Sequence, residues 1–496
     1  MLSHLPVLQV IVPLMAAPAC LLLRQARLVW MFATIVCALA FLISFQLLYQ
    51  VQAHGELIYE LGGWQAPIGI EYRVDALTAM MLVLVSAIAT VVMMGAHTSI
   101  KKELHESKHT LFYIAFLLCF AGSLGIIATG DAFNVFVFLE VSSLSTYTLI
   151  ALGNDRRALW ASYQYLIMGT IGATFILIGI GLMYMMTGTL NMADMAQRLP
   201  AVNSTLTIFS AFAFFIVGVC LKLALFPLHL WLPNAYAYAP SIVTAFLAAT
   251  STKVAIYVLL RFIFTIFGVE FSLSHLPLPQ ILMGLGLIGV VGASIVAILQ
   301  TNVKRLFAYS SVAQIGYMIL GFSLGSQAGL KAALLHVFNH ALMKGAIFMA
   351  IAGVVYHASA GKGSANLTAF KGLGKRMPIT MAAIVVGGLS LIGVPLTVGF
   401  ISKWYLIVAL MDQGLWPVVA LVLFGSLLAV VYVWKIVEYA YFHLPEDGND
   451  KFDEAPMSLL IPTWLLVVAN IYFGVNTEFT VNIADLAVFS LFGATP

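Results

Sequence analysis

Apolar stretches about twenty residues long follow one another along almost the whole chain, and nothing else constrains its fold as much. Fourteen such runs begin near residues 5, 28, 74, 110, 132, 159, 205, 240, 279, 306, 329, 378, 416 and 457. A hydrocarbon core about 30 Å thick is crossed by roughly 20 apolar residues in a helix. Inside it every backbone polar group must be satisfied within the protein, which leaves helices or a closed barrel. A barrel would show segments of about ten residues with alternating polarity, and these runs do not alternate. The sequence therefore predicts an all-α, polytopic membrane protein of about fourteen transmembrane helices. Only 9% of the 496 residues are charged, against about 25% in soluble domains. So few charges exclude a soluble enzyme, a nucleic-acid binder and a disordered chain. No Lys or Arg precedes the run from Leu5 to Leu23, so it reads as a first spanning helix and not as a cleaved leader.

The basic residues fall mostly on one side of the alternating connections. After odd-numbered runs stand Arg24, Arg27, Lys101, Lys102, Lys108, Arg156, Arg157, Lys304, Arg305, Lys362, Lys371, Lys375, Arg376 and Lys451. After even-numbered runs stand only Arg73, Arg198, Arg261 and Lys331. The excess of Lys and Arg marks cytoplasmic connections. Both termini are thus expected outside the cytoplasm, in a cell inner (plasma) membrane. The longest polar connections, 49–73, 97–109, 357–377 and 444–456, are too short to hold a folded extramembrane domain. Residues 1–496 are expected to form a single membrane domain.

Cys20, Cys37, Cys119 and Cys220 sit inside apolar runs with no CxxC pair, which points to small core residues and to no cofactor or metal. Gly284, Gly286 and Gly289 match GxGxxG, but within a membrane run and with no preceding strand. Close helix packing explains them better than dinucleotide binding. There is no P-loop, and so no ATP site of that type.

Several ionisable residues lie inside the apolar runs, where a central lysine costs on the order of 3 kcal/mol. They are Glu140, Lys222, Lys253, His336, His340, Lys344 and Lys403, with His229, Lys435 and Glu438 besides. Such residues mark ion or proton pathways unless a static partner explains them. Glu140 follows Phe136-Val137-Phe138-Leu139 and precedes two serines. Lys222 has apolar neighbours on both sides, far from a helix end, and stands five residues before Pro227. Proline breaks or kinks a helix, and broken helices at mid-membrane recur at transporter ion sites. Three hydroxyls, Thr250, Ser251 and Thr252, precede Lys253. His336, His340 and Lys344 are spaced i, i+4, i+8, which places them along one helix face. Histidine titrates near neutrality, so that face suits a proton relay, with interhelical hydrogen bonds as the structural alternative. Lys403 follows a second break, Gly393-Val394-Pro395. Lys435 and Glu438 form an i, i+3 pair that is expected to neutralise itself. Asp75 and Arg73 fit capping and interface anchoring, and His229 fits a hydrogen bond to freed backbone.

These segments resemble the antiporter-like membrane subunits shared by multisubunit cation/proton (Mrp) antiporters and respiratory complex I. The resemblance runs from about Arg73 to Lys435. It rests on Arg73-Val74-Asp75-Ala76-Leu77, the Glu140 segment and Lys222 through Pro233. Ala239-Pro240-Ser241, Lys253, Lys304 through Ser311 and the Gly393-to-Lys403 segment complete it. Phe136 through Val141, and lysine at 403, are most similar to the D-type subunits of Mrp antiporters. The resemblance implies two inverted five-helix repeats, 110–264 and 279–443, each with a broken helix. It implies a secondary-transporter subunit, not an enzyme, that exchanges Na⁺ for H⁺ within a complex of other antiporter subunits in the lipid bilayer. Glu140 would tune Lys222, and Lys253 with the His336, His340 and Lys344 face would pass protons across the midplane. Lys403 would end the path. The same residues also serve a redox-driven proton pump of the complex I or membrane-bound hydrogenase type. Gln314 departs from the many relatives with histidine there, so that relay step falls to water or to His336.

Overall fold

Among the described residues, thirteen helices are long and apolar enough to cross a membrane. The computed structural model describes residues 2–274, 276–357, 365–444 and 453–492. In chain order the helices are α1 (Leu5–Leu22), α2 (Ala26–His54), α3 (Ala76–Glu103), α4 (Glu106–Ala128), α5 (Ala132–Ala151) and α6 (Arg157–Thr187). Then follow α7 (Leu206–Leu223), α8 (Trp231–Tyr238), α9 (Ser241–Ile266), α10 (Leu278–Leu299), α11 (Val303–Ser323) and α12 (Gln327–His357). The last five are α13 (Pro378–Ile392), α14 (Val398–Asp412), α15 (Trp416–Phe442), α16 (Met457–Val475) and α17 (Glu478–Phe492). All fourteen apolar runs of the sequence thus become helices. The run near 378 yields the short α13, because its helix stops at Gly393. Lys362 and Lys451, counted above among cytoplasmic positions, lie outside the described residues.

The helices start where the sequence supplies a capping oxygen. Asp75 accepts from Thr78 N at 2.9 Å, Asp131 from Asn134 N at 2.7 Å and Asn302 from Arg305 N at 3.0 Å. The helix interiors carry no strong polar stripe, because lipid and protein core are both apolar and neither side demands one. Burial sorts them instead. α11 and α12 are enclosed on all sides and α9 nearly so, whereas α1, α2, α6, α10 and α15 keep one face of large apolar residues exposed. α12 is the hub, packed against α3, α9, α11, α13, α14, α16 and α17. Close crossings use glycine: a Cβ on Gly218 of α7 would stand 2.6 Å from the Gly172 carbonyl of α6. One on Gly316 of α11 would meet the Gly286 carbonyl of α10 at 2.6 Å. Gly286, from the GxGxxG match, is therefore a packing residue, as expected. The four cysteines are free and buried.

Two breaks interrupt the bundle. α7 ends at Leu223, Ala224 turns left-handed at φ 60°, and α8 resumes at Trp231. Trp231 Nε1 reaches back to the Leu221 carbonyl at 3.0 Å, so the indole joins the two halves. α13 ends at Ile392, Gly393 follows at φ 94°, and α14 resumes at Val398. Glycine suits that position, since a left-handed conformation strains other residues. The first break begins upstream of the proline named from the sequence. Lys222 consequently lies in the last turn of α7 and not deep within a helix, which corrects the expectation above. The physical reason is that Pro227 and its predecessor both disfavour helix, so the helix gives out before the proline itself.

The sequence missed a hairpin and a last long helix, besides the short helices Met192–Arg198, Val269–Ser274 and Leu373–Arg376. Within 49–73 it read only a polar connection, but Leu57–Glu60 and Glu71–Val74 pair as an antiparallel hairpin. α17 also follows α16 where no further helix was expected.

The connections segregate to two ends. At one end Asn154 bonds the Glu103 carbonyl, and Glu103 Oε2 accepts from Ser241 N and Oγ at 2.9 and 3.0 Å. There too Arg157 lies over the Tyr238 ring at 4.7 Å, and Lys304 Nζ donates to the Ala239 carbonyl at 3.2 Å. At the other end Asn191 Nδ2 donates to Glu71 Oε1 at 2.9 Å, and Arg261 pairs with Asp75. The basic connections thus share one end of the molecule, as the alternation required.

Candidate functional site

The breaks and the hub helix bring the buried ionisable residues into a row. At one edge Glu140 Oε1 on α5 stands 3.8 Å from Lys222 Nζ on α7, whose ammonium also donates to Ser143 Oγ at 2.8 Å. Glu140 and Ser143 are one helical turn apart, so α5 offers carboxylate and hydroxyl together. The Lys222 side chain is 5% exposed and that of Glu140 28%, the latter on the lateral face of the bundle. A small cavity of about 30 Å³ adjoins Lys222, lined among others by Ser142, Ser143, Tyr165 and Ser251. Its size and hydroxyl lining suit one or two waters, and Ser251 leads to Lys253 on the same helix.

Lys253, Lys344 and His340 are fully buried. Lys253 Nζ donates to the Ala248 carbonyl of its own helix. Lys344 Nζ donates to the Phe307 carbonyl at 2.8 Å and to Ser310 Oγ, both on α11. His340 stands one turn before Lys344 on α12. Neither of its ring nitrogens bonds a protein group. His336 lies one turn away with its ring parallel, the centroids 6.1 Å apart. Its Nε2 meets Gln314 Oε1 at 2.9 Å and its Nδ1 meets Ser402 Oγ at 2.8 Å. With that amide oxygen accepting, Nε2 carries the proton and Nδ1 accepts from the serine.

Lys403 closes the row. Its Nζ donates to the Leu391 and Ile392 carbonyls at 2.8 and 3.0 Å and to Ser426 Oγ at 3.0 Å. It also lies 4.8 Å from the centre of the Tyr317 ring. The two carbonyls are orphans at the C-terminal end of α13, the negative pole of that half-helix. Lys222 likewise lies in the last turn of the half-helix α7. Each break thus sets a lysine at a negative helix end within the membrane.

The structure therefore brings Glu140 to Lys222, and His336, His340 and Lys344 to one face of α12, as their spacings required. It does not pair Lys435 with Glu438. Lys435 Nζ donates to the Ile298 and Gln300 carbonyls at 2.8 and 3.0 Å, capping α10, while Glu438 faces His443 at 3.6 Å. The packing of α15 on α10 offers the ammonium orphan carbonyls, which displace the intrahelical pair. His229 stacks on Phe226 with ring centres 4.9 Å apart. Asp75 caps α3 as expected, and it also pairs with Arg261 of α9 across the bundle. The sequence showed the serines after Glu140 but gave no partner to Ser143, Ser402 or Tyr317. Lone hydroxyls in apolar helices carry no periodic signal, and only the fold shows which ammonium they meet.

The model of the family described as "NADH:quinone oxidoreductase/Mrp antiporter, TM" matches residues 129–429, which contain every member of this row. The chain belongs to that family. A relative named NADH-quinone oxidoreductase subunit N, from Desulforudis audaxviator, is 40% identical over 98% of this chain and 99% of its own. The D-type subunit of a Na⁺/H⁺ antiporter from Alkalihalophilus pseudofirmus is 33% identical over 90% of this chain and 89% of its own. Among solved structures, a chain of the membrane-bound sulfane sulfur reductase, an archaeal respiratory membrane complex, superposes with a TM-score of 0.89. It is 34% identical, with 99% of this chain and 98% of that one covered. This family member is accordingly an antiporter-like membrane subunit, of the kind found in both Mrp and complex I-type assemblies.

Proposed function

We propose that the chain conducts protons as one subunit of a multisubunit monovalent cation (Na⁺)/H⁺ antiporter. The supporting observation is the row that runs from the part-exposed Glu140 through the buried Lys222, Lys253, Lys344, His340 and His336 to Lys403. While Glu140 faces Lys222, its charge holds the ammonium protonated. When that carboxylate turns away, the buried lysine gives up its proton to the hydroxyl-lined cavity and on towards Lys253. Lys344 and the two imidazoles carry it across α12, and Lys403, held on orphan carbonyls, releases it on the far side. The two breaks, each with its lysine, fit two inverted repeats over 110–264 and 279–443 within a single membrane domain. The carboxylate of Glu140, part-exposed on the lateral face, fits a bundle that a neighbouring subunit covers there. The basic end would face the cytoplasm of a cell inner membrane and leave both termini outside.

A second reading has its own support. The relative at 40% identity carries a complex I subunit name, and the chain at 34% belongs to a respiratory complex. There the same row would be driven by electron transfer. Everted vesicles carrying the complete set of co-encoded subunits separate the two, with a pH-sensitive dye inside or bound. Addition of Na⁺ should collapse a preformed pH gradient, and Lys222→Ala should abolish that response at equal protein level. A response to an oxidisable donor and none to Na⁺ would replace the antiporter reading with the redox one. Unchanged transport by Lys222→Ala under either drive would reject the proton path itself.

A further inference from the structure

An open cleft of about 700 Å³ lies apart from the proton row, at the basic end, between the α1–α2 connection, the end of α3 and the starts of α4 and α16. Arg24, Arg27 and Lys101 line it against one carboxylate, Glu106. Among the described residues none of these three cations has a carboxylate partner, whereas Arg157 at the same end pairs with Asp155 at 2.6 Å. Free cations that converge on one cleft repel each other, and an anion relieves them. The floor is held rigidly. Trp30 Nε1 donates to the Met93 carbonyl at 2.8 Å, the His97 ring lies over the indole at 5.2 Å, and Thr98 Oγ1 meets Ser458 Oγ at 2.6 Å. Exposed apolar residues adjoin the lining in the chain: Leu22, two residues before Arg24, is 83% exposed, and Met457, beside Ser458, is 67% exposed.

We propose that this cleft binds the phosphate headgroup of an anionic phospholipid, with the acyl chains running down over these exposed apolar residues. Three arguments favour that ligand. The cations sit at a helix-end level where headgroups lie, and tryptophan favours the same level. Basic pockets between membrane helices on the cytoplasmic side suit phosphorylated headgroups. A free phosphate would use the cations but leave the adjoining apolar residues without a partner. An acidic protein segment would have to bury Leu22 and Met457 as well.

The test uses the intact complex, depleted of lipid in detergent and titrated with phosphatidylglycerol, phosphatidylcholine or inorganic phosphate. Native mass spectrometry counts bound lipid, and inorganic phosphate is scored as a competitor. Wild type should retain phosphatidylglycerol in preference to phosphatidylcholine. The double variant Arg27→Gln/Lys101→Gln should lose more than about tenfold in affinity for it, because each surface cation contributes to anionic-lipid attraction. Ser458→Phe, which puts a bulky ring into the cleft without changing a charge, should weaken binding too, so a folding defect of the charge variant does not decide the matter. Arg156→Gln, on the same end but outside the cleft, should bind as wild type. No preference between the two lipids, or undiminished binding by both cleft variants, would overturn the proposal. Competition by phosphate alone at the lipid's own concentration would make this a free-anion site and overturn it as well. Loss of a neighbouring subunit with the lipid count intact would make it a protein docking surface instead.

Discussion

At the scale of single residues, most of the buried ammonium groups rest on carbonyls and hydroxyls, and among them Lys222 faces a carboxylate. Dipoles solvate a charge without neutralising it, so these lysines keep the option of losing a proton that a static ion pair would remove. On the proposed function, the charge of Glu140 sets whether Lys222 holds its proton. Glu140→Gln keeps the shape and removes that charge, and it should lower proton transport by at least about tenfold, since an opposed charge at this range biases a group by 1–3 pK units. The same substitution should leave assembly unchanged, which blue-native electrophoresis of the complex would show. Wild-type transport by the variant would reduce the pair to a structural contact. The row was legible in the sequence because a lysine inside an apolar run is too costly to be incidental. Its solvation was not: the Phe307 carbonyl stands 37 residues before Lys344, and the Leu391 and Ile392 carbonyls, 12 and 11 residues before Lys403, reach it only because the chain doubles back after the break at Gly393. Gln314 illustrates the same limit. Its type alone said that it does not titrate, and only the fold shows it bonded to His336 Nε2 at 2.9 Å.

At the scale of elements, the account rests on two broken helices seated against unbroken ones. α7 approaches α6 through paired glycines, and that approach aims the last turn of α7, with Lys222, at α5. Gly218→Leu places a side chain against the Gly172 carbonyl and the Ile176 backbone. It should destabilise the bundle by about 1–3 kcal/mol or more and lower the yield of monodisperse protein in size-exclusion chromatography. Gly181→Ala, a site on α6 with open space around it, should leave both unchanged. Equal behaviour of the two variants would refute the close packing. Proline and glycine announced both breaks in the sequence. The point where α7 stops was not readable, because a proline disfavours helix over several upstream residues and the last turn depends on tertiary caps such as Trp231. The Leu57–Glu60 and Glu71–Val74 hairpin was hidden for a different reason. Its strands are four residues each, too short for an alternating pattern to stand out.

At the scale of the whole molecule, charge asymmetry and fold agree on two chemically different ends. The four native cysteines are buried, so added thiols can report sidedness. Asn154→Cys, at the basic end, should react with a membrane-impermeant maleimide in everted vesicles and not in intact cells. Glu60→Cys, on the exposed strand of the hairpin, should show the reverse. The opposite pattern would invert the topology. The spanning runs were legible in the sequence because hydrocarbon thickness acts on composition alone, and the sidedness that the positive-inside bias implies is what the added thiols test. The packing of α12 as a hub was not, since an all-round apolar helix does not reveal its neighbours. The row crosses the molecule only if each lysine can lose its proton, and Lys403 tests this most directly. Arginine keeps the charge, can still bond the Leu391 and Ile392 carbonyls, and effectively never deprotonates. The decisive measurement is proton flux through the purified complex in proteoliposomes, wild type against Lys403→Arg, from neutral to alkaline pH. The account predicts a normally assembled Lys403→Arg complex that has lost most of its flux. Flux equal to wild type across that range would contradict it, and would make Lys403 a fixed charge beside a path that runs elsewhere.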